Sequence, residues 1–322
     1  MQEYKGNLVS VVVTTRNRPF LLKKALDTVF SQTYNPIEVV VVDDFSRSNI
    51  SKTIRVYMKR ITFIRNRRCL GSAASRMVGA EKANGQYIAF LDDDDQWVSS
   101  KIEKQVHLAK NSGKDCAVIT CGVKYYSENE IYYSYPTLNG DIRDNLFVSG
   151  FKTMSSCHLF SRKLFDKIGG YDWDMPAHEE HDIWMKLARD NYETRILHEP
   201  LVEIYEYQRD RKMTNVKNRL LAYQLFERKW IESVYTWYGL KQGRFVFNNY
   251  LSKIHISNAG LVASYGDVAG ARIFAIKSIP YILKSGLNVD NFNRAYQALY
   301  HLFPKVITDF YGRLKNRFFD GI

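Results

Sequence analysis

Four short, mostly apolar runs fall within the first hundred residues: Leu8–Val13, Ile37–Val42, Ile61–Ile64 and Tyr87–Leu91. Each is strand-sized, and the first two are dominated by Val, the pattern of a buried strand. Between the runs, apolar residues recur at helical spacing. Behind Pro19 come Leu21, Leu22, Ala25, Leu26, Val29 and Phe30, one face of a helix with proline at its start. A second helix is expected over Ser51–Met58. A third, built of small residues, is expected over Ser72–Ala83, with Gly85 as its breaker. Strand and helix in alternation specify an α/β architecture, a mostly parallel sheet with helices on both faces.

Two of these runs end in carboxylates, at Asp43-Asp44 and at Asp92–Asp95. Open α/β sheets bind ligands at the C-terminal edge of their strands. Four adjacent like charges repel one another unless a cation is present. Aspartate oxygens are hard ligands suited to Mg²⁺ or Mn²⁺, in sites that substrate phosphates complete. The bland alternative is a solvated acidic turn capping a helix near Ser99. Neither GxxxxGK[ST] nor GxGxxG occurs, so a nucleotide would be held without a glycine-rich cradle.

The pattern changes after Lys110. Ala117–Tyr126 and Ile131–Tyr135 read as an antiparallel excursion turning at Ser127-Glu128-Asn129. Glu179–Arg189 reads as an amphipathic helix and Leu201–Tyr207 as a last strand. From about Leu220 the signal is helical, with Gly266-Asp267 turning a helix pair over Ile254–Leu283. The chain is therefore divided at 1–220 and 221–322, an α/β domain and a helical appendage.

With 45% hydrophobic and 25% charged residues in 322, disorder, collagen and a disulfide-rich mini-domain are excluded. Cys69, Cys116, Cys121 and Cys157 form no CxxC pair, as expected for reduced thiols in a cytoplasmic protein. No apolar run reaches membrane-spanning length, and the first residues do not read as a signal peptide. The net charge of +12 is uneven: from Arg228 onward there are 13 Lys and Arg against 5 Asp and Glu. With Arg313 to Phe319 in the tail, this favours an anionic membrane surface, or a merely solvated basic face.

Three blocks carry a resemblance to glycosyltransferase family 2. They are LVSVVVTTRNRPFLLKKALDTVFSQTYNPIEVVVVDDFS (Leu8–Ser46), GSAASRMVGAEKANGQYIAFLDDDDQW (Gly71–Trp97) and GGYDWDMPAHEEHDIWMKLA (Gly169–Ala188). The resemblance implies a GT-A fold and inverting transfer of a hexose from a nucleotide-diphosphate donor, UDP-linked above all. The implied products are β-linked glycans of bacterial surface polysaccharides such as O-antigen or capsule. It implies that Thr14, Arg16 and Asp44 contact the base and that Arg76 lies near the nucleotide. Asp92 opens the DxD pattern, Asp93 contacts the ribose, and Asp94 is the ligand of Mn²⁺ or Mg²⁺. Arg16 stands where Tyr is common, and Asp43 is the structural member of its pair.

The family's general base is the second acid of a pair opening a late helix. Here that pair is Glu179-Glu180, which makes Glu180 the base and leaves Glu179 or Asp182 as alternatives. The histidine that many relatives carry after the last strand is missing. His198 reads as packing in a turn, and Arg209, Arg211 or Lys212 is expected to serve the diphosphate instead. Trp173 is a candidate for stacking on a sugar and Trp184 for the core. His158 and His178 fall near the acceptor side without a motif. The implied partners are the sugar nucleotide and a saccharide or lipid-diphosphate-linked acceptor on the inner face of the cytoplasmic membrane, with no nucleic acid and with room for a homo-oligomer. Two other classes compete: a metal-dependent nucleotidyltransferase, which needs no acid pair at Glu179, and a basic nucleic-acid-binding protein, which leaves Asp92–Asp95 unexplained.

Overall fold

In the computed structural model the described residues are 5–137, 140–143, 146–147, 153–206, 215–285 and 289–302. The chain divides into two compact units, Met1–Met213 and Thr214–Ile322.

The first unit opens with β1 (Lys5–Thr15), α1 (Pro19–Phe30), β2 (Ile37–Asp43), α2 (Ile50–Thr53), β3 (Ile61–Arg65), α3 (Ser72–Lys82) and β4 (Gly85–Asp92). It continues with β5 (Asp95–Trp97), α4 (Lys101–Lys110), β6 (Cys116–Tyr126), β7 (Ile131–Ser134), β8 (Gly140–Asp141), β9 (Leu159–Ser161), α5 (Arg162–Lys167), α6 (Glu179–Arg189) and β10 (Glu193–Tyr205). The strands form one sheet in the order β3-β2-β1-β4-β9-β6-β10-β5, with β7 on β6 and β8 on β10. The β3-β2-β1-β4 half is parallel, and the half beyond β4 is mixed.

The two-residue period of a strand explains the layering. Val11 and Val13 of β1 join a core with Leu22, Ala25 and Leu26 of α1 and Ile102 and Val106 of α4. Val12 points to the other face, where a Cβ on Gly79 of α3 would lie 2.3 Å from its Cγ1. Small residues in α3 are therefore a packing requirement. On that same face Phe90, Phe160, Phe165 and Tyr171 make edge-on and tilted ring contacts.

The expected helix over Ser51–Met58 is shorter. It stops at Thr53 and passes into a 3-10 turn over Arg55–Tyr57, where the β-branched Thr53, Ile54 and Val56 weaken continued α-helix. The last strand begins earlier than Leu201. It runs from Glu193 through register breaks at Leu197, Pro200 and Val202, and its half-buried Glu and Arg residues and exposed His198 concealed it in the sequence.

The second unit contains α7 (Val216–Tyr238), α8 (Leu240–Ser264), α9 (Val268–Lys284) and α10 (Val289–Leu302). Gly239, at φ 75°, ends α7 and opens α8. The Asp267 carboxylate accepts from the Gly270 amide at 2.8 Å and caps α9, at the turn read from Gly266-Asp267. Tyr223, Ala259, Val262, Ala271 and Phe274 form one core cluster. Ile256, Ala275, Ile282 and Ala298 form another.

Candidate active site

The chain leaves β1 for β2 and β3 on one side and returns to β4 on the other. A crevice opens where strand order reverses in this way. In register, Thr14 lies opposite Val42 and Asp92, and Thr15 opposite Asp43. Above this edge is a cavity of about 750 Å³, within the size range of small-molecule and cofactor sites. Thr14, Arg16, Asp44, Arg76, Asp92, Asp93, Asp94 and Glu180 all line it.

The two aspartates ending β2 do different work. Asp43 is fully buried; one carboxylate oxygen accepts from the Ser46 amide at 3.0 Å and the other pairs with Arg65 at 3.2 Å. Asp44 gathers the loop that follows β3. It accepts from Asn66 Nδ2 (3.0 Å), the amides of Leu70 (2.7 Å) and Gly71 (3.0 Å), and the Cys69 thiol (3.2 Å). Burial opposes its charge, but these bonds outweigh burial and hold the carboxyl below its ordinary value. Gly71 closes the loop at φ +91°, where a side chain would be strained, and α3 starts at the next residue. A carboxylate has about four acceptor sites, and the loop takes all of them. The residue expected to read a base edge thus has its acceptor sites taken up by the chain itself and shapes the cavity wall.

The row Asp92–Asp95 is not a solvated turn. Asp95 is buried and accepts from Ser156 Oγ at 2.7 Å. Asp93 is 5% exposed. It accepts from Thr15 Oγ1 at 2.6 Å and the Arg16 amide at 3.4 Å on one oxygen, and from Arg18 Nη1 at 3.1 Å on the other. Burial pushes its carboxyl up to about 7. The residue expected to contact a ribose is therefore enclosed by its own chain. The same Arg18 Nη1 lies 3.0 Å from Asp94 Oδ2. Arg18 occupies the N-cap position of α1 without capping it, and its side chain turns to the acidic row instead.

Arg76 accounts for Asp92. The residue is 3% exposed, and its guanidinium joins Asp92 Oδ1 at 2.7 Å to Glu179 Oε1 at 3.0 Å. Burial works against its charge, yet Asp92, Tyr171 and Glu179 raise its pKa well above the usual value. The arginine expected beside the nucleotide is thus a buried bridge from the end of β4 to the start of α6. Arg76 and Arg18 thus set positive charge against Asp92, Asp93 and Asp94.

α6 begins after His178, at φ 66°, with Glu179, Glu180 and Asp182 in its first turn, where the helix N-terminus favours negative charge. Glu179 Oε1 also accepts from Ser72 Oγ at 2.5 Å, so Glu179 is committed to α3. Glu180 faces the cavity differently. Its Oε1 accepts from the Ser155 amide at 2.7 Å and from Ser155 Oγ at 2.5 Å. Its Oε2 is buried with no hydrogen-bond partner among the described residues. Burial pushes the Glu180 carboxyl up to about 7, with Arg76 and Ser155 pulling the other way. A carboxyl tuned to that range, with one oxygen unspent, has the chemistry that a general base requires.

The remaining candidates separate clearly. Asp182 is buried beside Lys186 at 3.7 Å and does not line the cavity. His158 is a core residue. Its Nε2 bonds Thr153 Oγ1 at 2.9 Å, its ring meets Trp184 edge-on, and burial pushes it down to about 3. Trp184 is buried, whereas Trp173 is 44% exposed. His178 stacks on His181. His198 is exposed within β10, not packed in a turn. Arg209, Arg211, Lys212 and the Arg313–Phe319 stretch lie outside the described residues. Arg18, Ser72 and Ser155 were not legible as site residues. The only signal for Arg18 was an arginine between a strand end and Pro19, and the two serines carried none.

The glycosyl transferase family 2 model matches residues 10–169, and that span contains both carboxylate-ended strands. The chain belongs to glycosyltransferase family 2. This glycosyltransferase is similar to the uncharacterized glycosyltransferase MJ1057 of Methanocaldococcus jannaschii, 27% identical over 71% of this chain and 84% of that protein. It is also similar to the Escherichia coli UDP-Glc:alpha-D-GlcNAc-diphosphoundecaprenol beta-1,3-glucosyltransferase WfaP, 33% identical over 41% of this chain. The matched segment spans about half the length of WfaP, 53%. In fold, the glycosyltransferase resembles Staphylococcus aureus TarS, with a TM-score of 0.62 at 12% identity over 92% of this chain and 53% of TarS. The same likeness holds for TarS 1-349 in complex with UDP-GlcNAc, with a TM-score of 0.55 at 12% identity over 91% of each chain. The sheet flanked by helices is thus of the GT-A type.

Proposed function

We propose that this glycosyltransferase is a metal-dependent inverting hexosyltransferase that moves a sugar from a UDP-linked donor to a lipid-diphosphate-linked saccharide. The single observation that carries the reading is the pairing of two acidic sets across one cavity: Asp92–Asp94 at the end of β4, and Glu180 at the start of α6. WfaP, by its name, uses UDP-Glc and a diphosphoundecaprenol-linked GlcNAc, and TarS 1-349 has been solved with UDP-GlcNAc. Both favour a UDP-sugar here. The acceptor class points to surface-polysaccharide synthesis at the inner face of the cytoplasmic membrane, by a UDP-glucose, UDP-galactose or N-acetylated donor.

In this reading the base sits in the Gly71–Asp44 end of the cavity, against Thr14 and Arg16. The diphosphate lies towards Asp92–Asp94. Those oxygens are a hard donor set that fits Mg²⁺ or Mn²⁺, with Asp94 as the protein's main ligand. Among the described residues no three His, Cys, Asp or Glu side chains could hold a metal ion together, so the rest of the shell would come from the diphosphate and water. When bound, the cation supplies charge stabilisation to the leaving diphosphate. Arg18, released from Asp94, carries positive charge to the same place.

Glu180 takes the proton of the acceptor hydroxyl on its unpartnered Oε2. The freed oxygen pair forms the new bond to the anomeric carbon from the face opposite the diphosphate. The carbon–oxygen bond to the diphosphate breaks and its electrons leave with the nucleotide, so one displacement inverts the centre. Ser155 holds the other oxygen and keeps the carboxylate aimed. A positioned base of this kind contributes ~10²–10⁴-fold.

The test is thermal stabilisation by UDP-, GDP-, CMP- and dTDP-sugars, with and without Mn²⁺, followed by turnover. Stabilisation by a UDP-sugar that needs the cation is the expected result. Stabilisation by none of them, or full transfer by a Glu180→Gln variant, overturns the reading.

A further inference from the structure

α9 buries Gly270, Ala271, Phe274, Ala275, Ser278 and Ile282 against its neighbours. Its other side carries large apolar residues in the open. Ile273 is 41% exposed, Ile276 54% and Leu283 73%. At about 100° per residue, these three share one arc of the helix. Arg272 borders that arc on one side, and Lys277 and Lys284 border it on the other. All three cations are exposed. The segment Val268–Lys284 contains no acidic residue. Ile273 also forms part of an apolar cleft of about 490 Å³, with Val216, Leu220 and Leu221 of α7 as its other apolar walls.

We propose that this face of α9 is the surface by which the protein lies on an anionic bilayer. Ile273, Ile276 and Leu283 enter the boundary between headgroups and acyl chains. Arg272, Lys277 and Lys284 reach outward along their stems to the phosphates, the arrangement of an interfacial helix with a cationic rim. Charge decides the occupant. A second copy docked face to face would set these cations against their own equivalents, whereas an anionic surface neutralises them. The cleft beside Ile273 gives an acyl chain room to enter. The proposal deepens the lipid-linked acceptor reading, but it is tested on vesicles that carry no acceptor, so either can fail alone.

The experiment is flotation of the full chain with vesicles of phosphatidylcholine containing about a third phosphatidylglycerol, against pure phosphatidylcholine, at low and high salt. Binding is expected only with the anionic vesicles and is expected to weaken with salt. Lys277→Gln with Lys284→Gln is expected to lower partitioning ~30-fold, at about one headgroup interaction per cation. Ile276→Ser with Leu283→Ser is expected to lower it ~10-fold or more. All four positions are exposed, so unfolding temperature and UDP-sugar affinity stay at wild-type values. Equal binding to neutral vesicles, absence of binding, or undiminished binding by the serine variant overturns the proposal. So does a dimer in sedimentation that the serine variant abolishes, since the face then belongs to a second copy.

Discussion

Ser155 grips one oxygen of Glu180 twice, through its amide at 2.7 Å and its hydroxyl at 2.5 Å, and leaves the other oxygen buried and unbonded. The grip fixes the direction of the carboxylate, while burial keeps its proton affinity high. The ionised form does the work, so kcat/KM should rise with pH through about 7 and level off above it. Because the folded state raises this carboxyl, its stabilising effect belongs to the protonated form. It is full below the ordinary glutamate value and is lost as pH rises through about 7. Glu180→Gln should therefore abolish transfer, spare UDP affinity, and unfold at a temperature equal to or above wild type at pH 8. Calorimetry and an activity profile across pH check all three.

Ser155→Ala removes one of the two hydrogen bonds to Glu180. The Ser155 hydroxyl lowers the Glu180 pKa, so its loss should move the acid limb of the pH profile upward. A fall in kcat of ~10-fold with unchanged KM for the donor is expected, from looser aim of the base. Steady-state kinetics at several pH values decide this. An unmoved acid limb would show that the serine has no hold on the base.

Arg76 is buried between Asp92 and Glu179. Truncation to Ala leaves two carboxylates without their shared cation, a change that costs about 3–5 kcal/mol at a buried pair. Denaturant unfolding should show that loss. Arg76→Lys keeps the charge but cannot span both partners, so it should fall between wild type and Ala in both stability and transfer rate.

Mn²⁺ binding is the readout for the acidic row. Asp94→Asn should weaken Mn²⁺-dependent UDP binding at least ~10-fold, measured by titration calorimetry. Chelation with EDTA should reproduce the defect in wild type. Arg18→Ala should tighten Mn²⁺ binding in the absence of UDP, because the guanidinium at 3.0 Å from Asp94 no longer competes. Unchanged Mn²⁺ affinity in that variant would separate Arg18 from the cation.

Gly79→Ala tests the layering. Its new methyl would meet Val12 Cγ1 at 2.3 Å, and overpacking of this kind costs about 1–3 kcal/mol. Val12→Ala in the same chain should restore part of the lost stability, as seen in urea unfolding.

The strands and helices around the site were legible because each obeys a simple period. β1, β2 and β4 each carry a short, mostly apolar run, and α6 has an apolar stripe with acids at its start. Thr14, Arg16, Asp44, Arg76, Asp92, Asp93, Asp94 and Glu180 were picked out by the family resemblance and not by any period, and all eight line the cavity. Their division of labour was not legible. The resemblance singles out the second acid of the pair, but no local pattern shows that Glu179 is tied to Ser72 and Arg76 and Glu180 to Ser155. That difference arises from partners 103 and 25 positions away. Asp44 and Asp93 likewise look like open acids in the sequence, and only the folded loop and Thr15 show how occupied they are. β10 was cut short because Arg195, His198 and Glu199 interrupt its pattern at an irregular register.

The salt link from Asp92 through Arg76 to Glu179 also limits how this enzyme can be recombined. A chimera that grafts a foreign segment in place of Gly169–Ala188 must bring a carboxylate at the position of Glu179, or it will strand the arginine and loosen the end of β4. The end of β4 and the start of α6 are therefore not separately exchangeable modules in this scaffold, and libraries meant to diversify one should hold that ionic triplet constant.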